Sequence, residues 1–332
     1  MPVLALTLAV PAIAATQLTG AGSTFDNPFF SKAFYMYSQM HGDVAVNYQS
    51  IGSGGGIAQF TARTVDFGAT DVPMNREELK KAGAPVLQVP VALGGVAVSY
   101  NLPGIHSGVR LTRSMLVNMF LGKMTKWNDP QIVRLNRGTK LPDLNIVVAH
   151  RSDGSGTTYI FTDFLSHVSG EWKSKVGTGK SVQWPASSSV GSKGNEGVAG
   201  IIRNTPGAIG YIELAYAIEN HVDTAAIQNQ SGNYVNCSKR TVAAAASTKA
   251  NISATDFSIV DRTGKDSYPI AGYSWIVAYE RPADKGRGAT LKTVLAWLVG
   301  GQAQGIASGL NYVPLPNNVR RTAVTTISRM SV

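Results

Sequence analysis

Arg151, Asp153, Ser155, Thr157 and Thr158 fall within one short segment, HRSDGSGTT at 150–158, and residues of these types can hold an anion. An arginine presents a fork of N–H donors suited to oxyanion oxygens, and each hydroxyl has one hydrogen to donate. The two glycines in the same turn let backbone approach a ligand closely. GAGSTF at 20–25 and SIGSGGGI at 50–57 repeat the combination of glycine with hydroxyls. Three such segments can converge on one small oxyanion.

The elements that must position these turns are legible on either side of them. Leu144–Ala149 is a short apolar run that predicts a buried parallel strand, while Phe161, Phe164, Leu165 and Val168 recur at helical spacing. The turn between them is therefore a strand end feeding a helix start, where unpaired N–H groups and the helix dipole favour negative charge. Ala45–Tyr48 predicts a strand before the second glycine segment, with a helix around Ile57–Thr64 after it. GAGSTF leads into a helix beginning near Pro28, in which Phe30, Ala33, Phe34 and Tyr37 form one face. Val65–Thr70 reads as a strand ending at Asp71.

Val86–Pro90 precedes a strand-rich stretch at 91–100 whose glycines permit a bend. A second α/β unit runs through Met115–Leu121, the 144–168 joint and GAIGYIELAYA at 207–217. Residues 223–267 are weakly patterned, with a helix expected near Thr241–Ser247. A strand-like run at 268–279 and an amphipathic helix over Ala289–Gly300 follow. A chain that leaves one domain, builds a second and returns accounts for two long strand-like crossings.

At 332 residues, 44% apolar and 15% charged, the chain can bury two domain cores and is not of disordered composition. Its formal charge of +10 comes from scattered pairs such as Lys80–Lys81 and Arg320–Arg321. That is a solvated basic surface, with no zinc-finger spacing or RNP-like aromatic motif to indicate nucleic acid. The single cysteine, Cys237, leaves no internal disulfide. His41, His106, His150, His167 and His221 show no metal spacing, so neither metal nor cofactor is expected, and the five tryptophans read as packing residues. Val3–Ala15 ends in small residues and is too short to span a bilayer, which reads as a secretory signal over 1–15, although no Lys or Arg precedes Lys32. The glycine segments lack a Walker lysine, and no G-x-S-x-G elbow occurs. Ser155 with His150 is the best hydrolase pair available, and no third group completes it. The chain is read as a non-enzyme.

Together with DFGATDVP at 66–73, SKGNEGV at 192–198 and GAIGYIELAYA, the three turns resemble in order and spacing the periplasmic phosphate-binding protein of the phosphate-specific ABC transporter. The resemblance covers roughly 20–220 and, more loosely, 268–316; residues 223–267 depart most. It implies an α/β, two-lobed periplasmic-binding-protein fold (type II-like), each lobe a mixed sheet flanked by helices, joined by a two-strand hinge. The expected division is 16–90 as the first part of lobe I, 91–267 as lobe II, and 268–332 as the return to lobe I. The resemblance further implies an exported, monomeric receptor that takes inorganic phosphate to an inner-membrane ABC permease and its ATPase complex. The implied ligands are Thr24, the Phe25 backbone N–H, Ser53 and Asp71 from one lobe, and Arg151, Ser155, Gly156 and Thr157 from the other, with Asp153 orienting Arg151.

Four of these ligands have a plainer alternative. Arg151–Asp153 is also what a surface ion pair looks like, Asp71 what a turn cap before Pro73 looks like, and Thr24 and Ser53 what helix N-caps look like, a cap competing with a ligand for the same hydroxyl. A carboxylate in an anion site makes sense if the ligand carries a proton. Phosphate near neutral pH does and sulfate does not, so Asp71 is expected to set selectivity. Arsenate shares that proton. A receptor for another tetrahedral oxyanion, an adhesion protein using the basic surface, and a phosphoester hydrolase are the other readings.

Overall fold

A computed structural model describes residues 15–332, and the signal-peptide reading therefore lies outside the described residues except for Ala15. The chain begins β1 (Thr16–Gly22), α1 (Asn27–Met40), β2 (Val44–Ser50), α2 (Ser53–Thr61), β3 (Phe67–Thr70) and α3 (Arg76–Ala82), then enters the long strand β4 (Val86–Tyr100). Short β5 (Arg110–Leu111), α4 (Arg113–Phe120) and α5 (Pro130–Leu135) precede β6 (Val147–Arg151) and α6 (Gly156–Val168). After α7 (Gly170–Lys175) come β7 (Ser189–Ser192), α8 (Gly194–Asn204), β8 (Ala208–Glu213) and α9 (Leu214–Glu219). Residues 223–267 hold three short strands, β9 (Asp223–Thr224), β10 (Ala226–Gln228) and β11 (Tyr234–Val235), and α10 (Lys239–Ser247). The chain closes with β12 (Ala271–Tyr279), α11 (Lys285–Leu298), α12 (Gly301–Gly309) and α13 (Asn317–Ser328).

The main sheet has the order β2-β1-β3-β12-β4-β8-β6-β7, with β9 paired to β4; β11-β10-β5 form a separate small sheet. β1 runs parallel to β2 and β3, and β6 runs parallel to β7 and β8. Between these two parallel blocks lie the antiparallel strands β12 and β4. β4 belongs to both halves: Val86–Gly95 pairs with β12 and Val96–Tyr100 with β8.

This is one continuous strand where two stretches were expected. Pro90 is accommodated because the register shifts there, Ser274 facing Ala92 and Trp275 facing Pro90, and a bulge needs one hydrogen bond fewer. Gly94 and Gly95 make room where a bend was expected. A Cβ on Gly94 would lie 2.6 Å from the Phe25 ring, and one on Gly95 would lie 2.4 Å from Cys237 Sγ. Cys237 is thus a buried packing residue at the crossing between the halves.

Each half has aromatic residues at its centre. Phe29, Phe30 and Phe34 of α1 are buried with Phe67 of β3, and Phe161 of α6 stacks on Tyr211 of β8 with ring centroids 4.4 Å apart. Fully burying one such ring is worth about 1.5–3 kcal/mol, which holds each helix, and hence its N-terminus, against its sheet. Trp127, Trp172 and Trp275 are also buried, as the packing reading expected.

α2 starts earlier than its apolar residues indicate, on Ser-Gly-Gly-Gly. Glycine disfavours helix, so tertiary contact must account for the run. A Cβ on Gly56 would lie 2.4 Å from Gly22 Cα in β1, and one on Gly54 would lie 3.0 Å from Gly154 Cα across the cleft.

Candidate functional site

The predicted turns meet at a single place, together with a fourth. Thr24 precedes α1, Ser53 opens α2, Ser155 caps α6, and Asn195 stands in the first turn of α8 behind Gly194, whose φ is +71°. Thr24, Ser53, Asp71, Arg151, Ser155, Thr157 and Asn195 are all buried. Four clustered helix starts give a place where N–H groups and dipoles favour negative charge.

Two of the plainer alternatives fail on geometry. The N-cap of α1 is Asp26 and that of α2 is Gly52, so neither Thr24 nor Ser53 is a cap. Ser155 does cap α6, accepting from Thr158 N at 3.0 Å. Competition between cap and ligand does not arise there, because a cap uses a lone pair and leaves the hydroxyl hydrogen available.

The same pattern holds for every hydroxyl of the set. Ser53 Oγ accepts from Gly156 N at 3.0 Å and from Asp71 N at 3.3 Å, one from each side of the cleft. Thr24 Oγ1 accepts from Asn195 Nδ2 at 2.8 Å and Asn195 N at 3.1 Å, and Thr157 Oγ1 accepts from Asn195 Nδ2 at 3.3 Å. Glu213 N donates to Asn195 Oδ1 at 2.9 Å, which fixes the orientation of the amide. With its lone pairs engaged, each hydroxyl is set to donate. Among the described residues, Phe25 N and Thr157 N donate to no protein acceptor, whereas Gly156 N–H is engaged with Ser53. Gly156 is needed as glycine for close approach, since a Cβ there would lie 2.5 Å from Asp71 Cβ.

Arg151 is buried with its guanidinium locked on Asp153, Nε to Oδ1 at 2.7 Å and Nη2 to Oδ2 at 2.5 Å, so this is not a surface ion pair. The fork uses two of its five N–H donors, and three remain. Burial works to raise the Asp153 carboxyl, but its hydrogen bonds to Arg151, the Arg151 charge and the Gly194 N–H hold it below the ordinary range. The pair is thus ionised and nearly neutral overall.

Asp71 Oδ1 accepts from the hydroxyls of Ser23 and Ser274, the latter at 2.8 Å. Oδ2 points toward Gly156, where an added Cβ would lie 2.6 Å from it. Burial raises the Asp71 carboxyl, opposed by Ser23, Ser274 and the Arg151 charge.

His150 is turned away from this set. Its ring stacks on Trp184, its Nδ1 lies 3.0 Å from Arg151 O, and burial lowers its pKa, so it is neutral at neutral pH. Beside the site is a cleft of about 450 Å³ between Val72–Leu79 and a wall including Tyr159, Lys180 and Phe257, bridged by an ion pair of Lys180 with Glu78.

Sequence reasoning missed Asn195, Ser23 and Ser274. Asn195 had a signal, standing behind a glycine in the quoted SKGNEGV motif; Ser274, on a strand some two hundred residues beyond Asp71, had none.

Two α/β halves, a sheet that passes between them through β4 and β12, and helix starts facing one another across the junction define a two-lobed solute-binding domain. The sequence model of the PBP superfamily domain matches residues 9–302. The phosphate-binding protein PstS of Xylella fastidiosa (strain Temecula1) is 47% identical over 307 residues, 91% of this chain and 82% of the relative. PstS of Haemophilus influenzae is 43% identical over 321 residues, 94% of this chain and 93% of the relative. Among solved structures, the high-affinity periplasmic phosphate-binding protein PfluDING, bound with phosphate, matches with a TM-score of 0.75 at 20% identity, covering 93% of both chains. A phosphate-binding protein from Stenotrophomonas maltophilia matches with a TM-score of 0.72 at 17% identity, covering 94% of both. At such identity these structures establish the shared fold. The chain belongs to the PstS family of phosphate-binding proteins.

Proposed function

We propose that this protein is a high-affinity receptor that captures inorganic phosphate between two lobes and delivers it to an ABC-type import permease with its ATPase. The observation that carries the reading is the state of the four hydroxyls. Thr24, Ser53, Ser155 and Thr157 each accept hydrogen bonds from protein N–H groups, so each has its hydrogen left for an oxyanion. Arg151 adds the remaining donors of its fork, and the Phe25 and Thr157 N–H groups add backbone donors. Gly156 contributes close approach and an amide shared with Ser53.

Among the described residues of this surround of donors, Asp71 is the acceptor. Its Oδ2 takes the proton that phosphate still carries near neutral pH, and it meets sulfate as an unpartnered, repulsive neighbour. Asp153 fixes Arg151 and cancels most of its charge, so affinity comes mainly from aligned dipoles in a water-excluded site. Residues 16–90 with 268–332 form one lobe and 91–267 the other. The lobes close about the β4–β12 crossing, and binding is stronger in the closed state than in the open one.

Export to the periplasm and a monomeric state complete the proposal. Among the described residues no helix is long and apolar enough to cross a membrane.

Calorimetric titration tests it. Phosphate binds tightly and sulfate weakly, arsenate binds comparably to phosphate, and Asp71→Asn narrows the gap between phosphate and sulfate. Equal binding of the two anions by the wild-type protein refutes the account of Asp71.

A further inference from the structure

Asp26 is an aspartate at a helix N-cap that caps nothing. Its side chain accepts no hydrogen bond from the α1 backbone and is fully buried, pointing instead at Ser274 of β12. Ser274 Oγ lies between two carboxyls, in contact with Asp26 Oδ2 and 2.8 Å from Asp71 Oδ1. A hydroxyl has one hydrogen. Were both carboxyls ionised, Ser274 could donate to only one and would turn a lone pair toward the other. Among the described residues Asp26 Oδ1 has no hydrogen-bond partner and no cation is paired with Asp26. A buried carboxylate with one oxygen bare and no counter-ion is costly, whereas a neutral carboxyl with a bare carbonyl oxygen is far less so.

We propose that Asp26 is the neutral acid of this pair, donating its O–H to Ser274 Oγ, which donates its own to Asp71 Oδ1. This relay holds Asp71 ionised, with Oδ1 engaged and Oδ2 aimed across the cleft. Asp26 is therefore a positioning residue for anion selectivity, an inference that rests on the reading of Asp71 as acceptor of the ligand's proton. The ionisable groups acting on Asp26 and its partner point the same way. Burial and then the Asp71 charge push the Asp26 carboxyl well above the ordinary range against the opposing hydroxyls of Ser274 and Ser23, Glu213, Tyr48 and Tyr312 are uncharged neighbours when protonated, and the Arg151 cation acts on Asp71.

Phosphate and sulfate affinities of the full chain test the relay. Asp26→Leu, which removes the donor, and Ser274→Ala, which cuts the chain, each lower the phosphate-to-sulfate affinity ratio by about tenfold or more, the scale of one charged hydrogen bond. Asp26→Asn restores the ratio, because an amide N–H replaces the acid O–H. If Asp26→Asn instead tightens both anions by about tenfold, a real negative charge has been removed and the proposal is overturned. An unchanged ratio in Ser274→Ala also overturns it.

Infrared spectroscopy of the ligand-free protein at neutral pH reads the proton directly. The carboxylic-acid C=O band loses a component in Asp26→Asn, and no such loss refutes the neutral state. That measurement stands even if wild-type protein shows no preference for phosphate, a result that would count against the functional reading alone.

Discussion

Replacing Gly54 by alanine should move stability and affinity in opposite directions. Gly54 lies in the first turn of α2, and the three atoms nearest an added Cβ all belong to Gly154 across the cleft, at 3.0, 3.3 and 3.5 Å. Comfortable carbon contact needs about 3.5–4.0 Å, so the two sides must part by about half an ångström. That stretches two hydrogen bonds of the same seam, Gly54 N to Gly154 O at 2.8 Å and Gly156 N to Ser53 Oγ at 3.0 Å. At about 0.5–1.5 kcal/mol each, their loss weakens phosphate binding by about 1–3 kcal/mol, or roughly 5- to 150-fold. Without ligand the open protein has no such clash, and alanine in place of a helical glycine stabilises it by about 0.5–1 kcal/mol. Its Tm should rise by on the order of 1 °C. Calorimetric titration and a thermal melt of ligand-free protein measure the two effects. Unchanged affinity would show that the seam is not part of the bound state. A fall in Tm would show that the methyl meets its own lobe, which would refute the reasoning.

Arg151→Ala leaves Asp153 ionised and facing the anion. Removing one member of a buried pair costs about 3–5 kcal/mol, so calorimetry should detect no phosphate binding at concentrations that saturate the wild type. Asn195→Ala frees the Thr24 and Thr157 hydroxyls to turn away from the cleft, and phosphate affinity should fall by about tenfold or more with a normal circular-dichroism spectrum. Asp26 has a folded-state pKa above its unfolded value near 3.8, so its burial costs nothing below about pH 4 and progressively more as pH rises toward the folded value. Asp26→Asn removes that cost. Its stability advantage over wild type, read from thermal melts, should therefore appear above pH 4 and grow with pH, at a slope of at most about 1.4 kcal/mol per pH unit.

What could be read from the sequence was whatever depends on neighbours along the chain. The 150–158 turn contains its own charge partner, Arg151 and Asp153 being two residues apart, and the helix after it carries its apolar face in its spacing. α1 was legible for the same reason, with Pro28 in its first turn and Phe30, Phe34 and Tyr37 on its buried side. The start of α2 was not, because Ser53–Gly56 violates helix propensity to satisfy contacts with β1 and with Gly154, both distant in sequence. Gly94 and Gly95 look like a bend for the same reason; their use depends on Phe25 and Cys237.

The distinction matters most for the hydroxyls. From sequence, a serine at a helix start is a cap or a ligand, two uses that compete for one hydroxyl. In three dimensions Ser155 serves as a cap through a lone pair and has its hydrogen left for the cleft. Ser53 and Thr24, which cap nothing, reach the same state by accepting N–H groups from the opposite side. Thr24 and Ser53 are therefore polarised by contacts between the two halves, whereas Ser155 and Thr157 are polarised by N–H groups of their own half. Asp71 follows the converse rule: its Oδ1 receives two hydroxyl hydrogens, and Oδ2 is the oxygen left to accept. Closure thus does more than exclude water. It turns the Thr24 and Ser53 hydrogens toward the ligand, so that an anion with one proton and several bare oxygens meets these donors together with those each half orients by itself.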